Sequence, residues 1–349
     1  MNKNKAELIL QALESKKSTL KPESIIEKTN DGFVKIVRNT RQATRPSIVK
    51  IRDQAMANQN AIEDMMAFVK NRGNIYLTFG GVGDLILLLA ECHQDPEAKI
   101  VYFANSTSKD FGKKFLELFK QDFIILDNLF GSSDAHKAIS LLKSTERLQA
   151  SAHLPDGLDY GDWIRNTQKY ASRIITRTNW LDKFGIDADN NGQKHVVFAP
   201  SGSYKSSHKQ KYLQPHEADA VTKIYLNKGY YVYVVGNHDD KAYYNTIRNP
   251  RIFWLTSDEI IDYKNFSSTI TFEKFIQILN SASDFCSVDT WLKTYSCLLG
   301  KKTIVFENKY NNKYSFGADS GDLIFLNKSI WPSMKLVKIE EFIKNDIYV

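Results

Sequence analysis

The chain predicts an α/β protein of two Rossmann-like halves, each a parallel sheet, facing a cleft behind a basic helical extension. Three observations carry this. At 349 residues it exceeds the roughly 250–300 residues at which single cores stop growing, so two domains are expected. Short apolar runs alternate with helix-like segments, the pattern of parallel strands joined by crossover helices. Several strand-like runs end in small or hydroxylated residues that open a helix, at the carboxyl edge where open α/β sheets bind ligands.

Residues 1–73 read as the extension. Ala6 to Leu13 carries apolar residues at helical spacing, and Ser47 to Arg72 reads as one helix with Ile48, Ile51, Ala55, Ile62, Met65 and Val69 on or near one face. Gly73 stops it. Between these segments Lys35, Arg38, Arg41 and Arg45, with Lys50 and Arg52 beyond, concentrate positive charge, either a solvated face or an acceptor-binding arm.

The first Rossmann-like domain is predicted at 74–190. Asn74 to Phe79 is a strand, Gly80-Gly81-Val82-Gly83-Asp84 a turn, and Leu85 to Ala90 a buried helix. Strands at Ile100 to Ala104 and Phe123 to Leu126 flank a helix over Ser108 to Lys120, and Asp162 to Phe184 reads as a long helix. The polar stretch Asp187 to Gly192 reads as the linker. The second domain, 191–330, repeats the scheme. His195 to Ala199 leads into Pro200-Ser201-Gly202-Ser203, and a helix runs from Pro215 to Gly229. Tyr230 to Val235 ends at Gly236-Asn237-His238, and Phe272 to Ala282 is helical. Phe285 to Val288 leads through Asp289-Thr290 into a helix ending at Gly300, and Thr303 to Glu307 is a strand. In the last segment, 331–349, Leu336 to Ile347 is predicted helical.

The composition, 42% hydrophobic and 25% charged, is that of a soluble globular chain. No run reaches the roughly 18 apolar residues of a membrane span. The charged start, Met1 to Lys5, lacks an apolar signal core, so a cytoplasmic location is expected. Cys92, Cys286 and Cys297 fit neither a disulfide framework nor a zinc pattern and read as buried thiols. A formal charge of +7 favours an anionic partner.

The chemistry is expected at the strand ends. Glycines 80, 81 and 83 allow backbone to approach a substrate, and Asp84 falls in a first helical turn. That position also suits a carboxylate that only complements the helix dipole. Ser201, Gly202, Ser203, Gly236, Asn237, Asp289 and Thr290 could cradle a diphosphate with hydroxyls, N–H groups and a helix N-terminus. Lys205, His208, Lys209 and Lys211 follow the first of these loops. There is no Gly-x4-Gly-Lys-Ser/Thr loop and no Gly-x-Gly-x-x-Gly fingerprint, so neither a P-loop nor NAD is invoked. No histidine, cysteine or acidic set has metal spacing. His153 and His195 read as surface or packing residues.

Together these pieces resemble glycosyltransferase family 9, the lipopolysaccharide heptosyltransferases of GT-B fold, over about Asn74 to Glu307. Gly83-Asp84 matches the family's Gly-Asp turn. Ala199 to Ser203 with Lys209-Gln210-Lys211-Tyr212 is similar to its Pro-Gly and Lys-x-Trp elements, and Val234-Val235-Gly236 to its strand ending in glycine. Asp289-Thr290-Trp291-Leu292-Lys293-Thr294, followed by Leu299-Gly300, is similar to Asp-Thr-Gly-x-x-His before Leu-Gly-x-Pro. Trp291 replaces that motif's glycine and Thr294 its histidine. The resemblance implies inverting, metal-independent transfer from a nucleotide-diphosphate sugar, a co-substrate, with no further cofactor. Asp84 would be the base. Ser201, Gly202, Ser203, Lys205, Lys209, Lys211, Gly236, Asn237, Asp289, Thr290, Trp291 and Leu292 would line the donor side. Gly80, Gly81, Gly83, Arg38, Arg41 and Arg45 would lie on the acceptor side. The expected acceptor is anionic. A hydroxymethylated base in DNA, in the cytoplasm of a bacterium or phage-infected host, is placed slightly ahead of lipopolysaccharide. A reading of another class is a GT-B-like nucleic-acid-binding protein without catalysis.

Overall fold

The computed structural model describes residues 24–28, 34–38, 48–92, 95–105, 108–127, 129, 134–152, 193–202, 211–261, 270–307 and 333–345. The expected helices at Ala6 to Leu13 and Asp162 to Phe184, and the linker at Asp187 to Gly192, lie outside these residues. The chain divides into two compact units, residues 1–56 and 57–349. In the first, β1 (Ser24–Lys28) pairs antiparallel with β2 (Val34–Arg38), Ile26 opposite Ile36. The extension is therefore partly strand, which corrects the all-helical expectation. Ser-Ile-Ile-Glu-Lys and Val-Lys-Ile-Val-Arg are rich in β-branched residues, whose stiff side chains favour extended backbone. Arg38 ends β2, and Arg41 and Arg45 lie outside the described residues.

Helix α1 (Ile48–Lys70) is continuous, as its periodicity predicts. Ala55 is exposed, whereas Ile62, Met65 and Val69 are buried with Ile75, Leu77 and Val101 of the first sheet. Gly73, at φ +137°, ends the run. The Arg147 guanidinium donates to the carbonyls of Val69, Asn71 and Gly73, which would otherwise lack partners at the helix end.

The first sheet is all parallel, in the order β5-β4-β3-β6. Its strands are β3 (Asn74–Gly80), β4 (Ala98–Ala104), β5 (Asp122–Ile125) and β6 (Leu148–Ala152). Helices α2 (Val82–Cys92), α3 (Lys109–Leu118) and α4 (Asp134–Lys143) alternate with them. The central strand β4 is buried throughout, as expected of a parallel strand covered on both faces.

The second sheet is also parallel, in the order β12-β11-β10-β7-β8-β9. It comprises β7 (His195–Ala199), β8 (Tyr231–Gly236), β9 (Ile252–Thr256), β10 (Asp284–Ser287), β11 (Thr303–Glu307) and β12 (Met334–Lys338). Its helices are α5 (Pro215–Asn227), α6 (His238–Tyr243), α7 (Ser257–Ile261), α8 (Phe272–Ser281), α9 (Trp291–Leu298) and α10 (Ile339–Asn345). The expected helix from Leu336 to Ile347 is thus a strand followed by a short helix. Pairing with β11 takes Leu336 to Lys338 into the sheet, with Met334 and Val337 buried. The α/β architecture of two parallel sheets is the one the alternation predicts. Among the described residues, no helix is long and apolar enough to cross a membrane.

Candidate active site

The site is built where β3 turns into α2 and β10 turns into α9. Ile75, Leu77 and Phe79 bury one face of β3 and fix its register, so the chain leaves the sheet at Gly80. Asp84 is the third residue of α2, and its Oδ2 accepts the Gly81 N–H at 3.3 Å. This is the reach of a first-turn carboxylate back to the residue before the helix, which satisfies a donor the helix leaves open. Asp84 remains half-buried. The helix-capping role and a role toward substrate are thus open to the same carboxylate.

On the other side, β10 ends at Ser287 and Asp289-Thr290 precede α9. Thr290 caps the helix, its Oγ1 accepting the Leu292 N–H at 3.2 Å. Asp289 lies between two ammonium groups, Lys211 Nζ at 2.9 Å from Oδ2 and Lys293 Nζ at 2.7 Å from Oδ1. Burial alone would raise its carboxyl. The Lys293 and Lys211 charges outweigh that and hold it well below the usual carboxylate range. The Lys293 side chain is only 3% exposed, so it depends on this partner for compensation in a poorly solvated place. Two cations on one anion leave a net positive charge beside a helix N-terminus.

A third strand end completes the group. Beyond β7, Gly202 N–H donates to Lys211 O at 2.6 Å, Leu213 N–H donates to Pro200 O at 2.8 Å, and Ser201 bridges Tyr212 antiparallel. This short pairing brings Lys211 back to the strand end. A Cβ on Gly202 would lie 3.3 Å from both Thr290 Cγ2 and Lys211 Cβ, so the lack of a side chain permits the approach. Ser201 Oγ is buried and has no hydrogen-bond partner among the described residues. Ser203, Lys205 and Lys209 lie outside the described residues.

The two halves meet at these turns. A Cβ built on Gly83 would lie 3.5 Å from Trp291 Cα and 3.8 Å from Thr294 Oγ1. Gly83 precedes Asp84, and Trp291 follows Thr290, which touches Gly202. The structure therefore brings together Gly83, Ser201, Gly202, Lys211, Asp289, Thr290 and Trp291.

The remaining expected residues have local partners. Asn237 caps α6, its Oδ1 accepting the Asp240 N–H at 2.8 Å while Asp240 Oδ2 accepts the Asn237 N–H at 3.0 Å. A Cβ on Gly236 would fall 2.9 Å from Asp240 Cβ. The Leu292 side chain is fully buried. Trp291 packs its indole among aromatic rings, 5.3 Å from Phe111 and 6.1 Å from Phe275 between centroids. Gly80 and Gly81 occupy the β3–α2 turn. Arg38 belongs to the other compact unit. His195 is buried between the carbonyls of Ile278 and Gln193, a packing residue as expected. Among the described residues, no group of three or more His, Cys, Asp or Glu is placed to hold a metal ion.

Lys293 is the residue the sequence reading missed. Its signal was its place four residues after Asp289, the spacing that brings two side chains to one helix face.

No protein-family model matches the chain, and no curated protein matches it. Solved structures do. E. coli ADP-heptose lipopolysaccharide heptosyltransferase II aligns at 10% identity over 76% of this chain and 90% of its own, with a TM-score of 0.45. A glycosyltransferase family 9 protein of Veillonella parvula aligns at 10% identity over 79% and 92%, with a TM-score of 0.41. E. coli heptosyltransferase WaaC with ADP aligns at 9% identity over 78% and 99%, with a TM-score of 0.40. The structural neighbours of this chain thus include glycosyltransferase family 9 heptosyltransferases.

Proposed function

We propose that the protein is a glycosyltransferase that moves a sugar from a nucleotide-diphosphate donor to a hydroxyl of an anionic acceptor. The observation that carries this reading is the contiguous run Gly83, Trp291, Thr290, Gly202. It sets the Asp84 turn of one half beside a hydroxyl- and lysine-bearing helix N-terminus of the other. Asp84 takes the proton from the acceptor hydroxyl as that oxygen attacks the anomeric carbon. The bond to the diphosphate breaks, and the departing charge meets Lys211, Thr290, Ser201 and the α9 N-terminus. The Ser201 hydroxyl, buried and without a hydrogen-bond partner among the described residues, is compatible with a ligand at this place.

The acceptor is best read as a phosphorylated saccharide of the kind the family resemblance implies. The DNA reading depends on Arg38, Arg41 and Arg45, of which Arg38 belongs to the other compact unit and Arg41 and Arg45 lie outside the described residues.

A thermal-shift panel of ADP, UDP, GDP and CMP and their sugars tests the reading, with mass spectrometry following nucleotide release on adding acceptor. Stabilisation by one diphosphate and acceptor-dependent release are expected. Asp84→Asn should keep donor binding and lower turnover at least about a hundredfold, at a stability cost of about 1 kcal/mol or less. Near-normal turnover in that variant removes Asp84 as base. A chain stabilised by DNA and by no nucleotide is a binding protein instead.

A further inference from the structure

The residue standing where the resembled motif has glycine touches both halves. The indole of Trp291 lies 5.3 Å from the Phe111 ring and 5.9 Å from Phe115, both on α3 of the first half, with interplanar angles of 60° and 67°. On its other side it lies 6.1 Å from Phe275 of α8 and 6.2 Å from Tyr295 of its own helix. Phe272 of α8 closes the group, 5.0 Å from Phe115 at 89°. Edge-to-face contacts of this kind set the positive edge of one ring against the negative face of the next and so favour a fixed mutual geometry beyond what the buried area alone provides. The main chain of the same residue lies against Gly83, where a Cβ would be in van der Waals contact, 3.5 Å from Trp291 Cα.

We propose that Trp291 is the positioning residue that joins the halves: its indole is wedged between α3 and α8, and its backbone seats the Gly83–Asp84 turn against the α9 N-terminus. Its side chain then does not contact the donor sugar. It acts through Asp84 and Thr290, whose spacing it sets. The joint stands on packing alone. Its effect on catalysis rests on the reading of Asp84 as the base.

The test reads geometry and chemistry separately. Spin labels are placed at Ser140→Cys in the first half and Lys223→Cys in the second, both exposed positions, while the native cysteines are buried. A narrow label-to-label distance distribution is expected in the parent chain, and a broadened one in Trp291→Ala. Trp291→Phe keeps a ring in the wedge and should restore the narrow distribution. Gly83→Leu presses on the Trp291 backbone from the opposite side and should broaden it while the indole is intact, which keeps the test decisive if Trp291→Ala does not fold. In turnover assays Trp291→Ala should lower kcat about a hundredfold, the loss that follows a displacement of about 1 Å, with donor KM within about twofold. Unbroadened distributions in Trp291→Ala, or in Gly83→Leu if only that variant folds, overturn the joint. A broadened distribution with unchanged kcat leaves the joint in place and removes Asp84 as the base it serves.

Discussion

Lys293 and Asp289 show how a single buried charge is tolerated. Lys293 Nζ has its carboxylate partner at 2.7 Å, and Lys211 reaches the second oxygen of the same carboxylate. Removing one partner from such a pair leaves the other uncompensated, at a cost of about 3–5 kcal/mol. Asp289→Asn, which strands the 3%-exposed Lys293, should therefore lower stability by that amount in denaturant unfolding, whereas Lys223→Met, at an exposed pair with Asp219, should change it by less than about 1 kcal/mol. A pH dependence follows. The Asp289 carboxyl holds its proton less tightly in the folded chain than in the unfolded one. Its stabilisation is thus complete above the unfolded value of about 4 and lost progressively as pH falls below it. Acid unfolding of Asp289→Asn should lack this component. Equal acid slopes in the two chains would count against the ion triad.

At the scale of elements, the packing of α3 on β4 and α2 is the most exacting contact. A Cβ on Gly112 would fall 2.6 Å from Tyr102 Cε1 and 3.2 Å from Leu85 Cδ2, and Tyr102 is itself held by a 2.9 Å hydrogen bond to Ser108. Gly112→Ala should cost about 1–3 kcal/mol by overpacking, although alanine is the better helix former, as thermal unfolding will show. This contact was not legible in the sequence, because glycine inside a helix reads only as a weak former. What was legible came from period and punctuation: the β3 run before its glycines, and the Pro215 start and Gly229 stop of α5, with Gly229 at φ +82°. Strand β6, Leu-Gln-Ala-Ser-Ala, has little β preference and forms because β3 offers it an edge. Strand β12 was hidden because Leu336 falls at helical spacing from Ile339 and Ile343 of the helix that follows. The strand ends of the site were legible as small and hydroxylated residues. Which side chains met across them was not, since the Trp291 wedge depends on rings of α3 and α8, far away in the chain.

Over the whole molecule, one continuous apolar cluster includes residues of both sheets, from Tyr102 and Phe115 in the first half to Phe285 and Tyr295 in the second. Two thiols, Cys92 and Cys297, lie in it and report on it. Cys92, Cys286 and Cys297 are buried, and burial pushes the Cys297 thiol up to about 11. Alkylation of the native chain at pH 8 should thus be slow at all three, and should accelerate for Cys92 and Cys297 together as denaturant opens the cluster they share. Early modification of Cys92 alone would show that the halves open separately.

The Arg147 clamp on the end of α1 bears on where the molecule can be cut. That arginine ties three carbonyls of the helix end to the chain entering β6, and Ile62, Met65 and Val69 cover the first sheet. A fragment trimmed to Asn74, where the first parallel strand begins, would strand that guanidinium and bare a hydrophobic flank worth roughly 1.5–3 kcal/mol per lost side chain. The smallest self-sufficient piece that holds the first sheet therefore starts upstream of that sheet's leading strand, inside the helix.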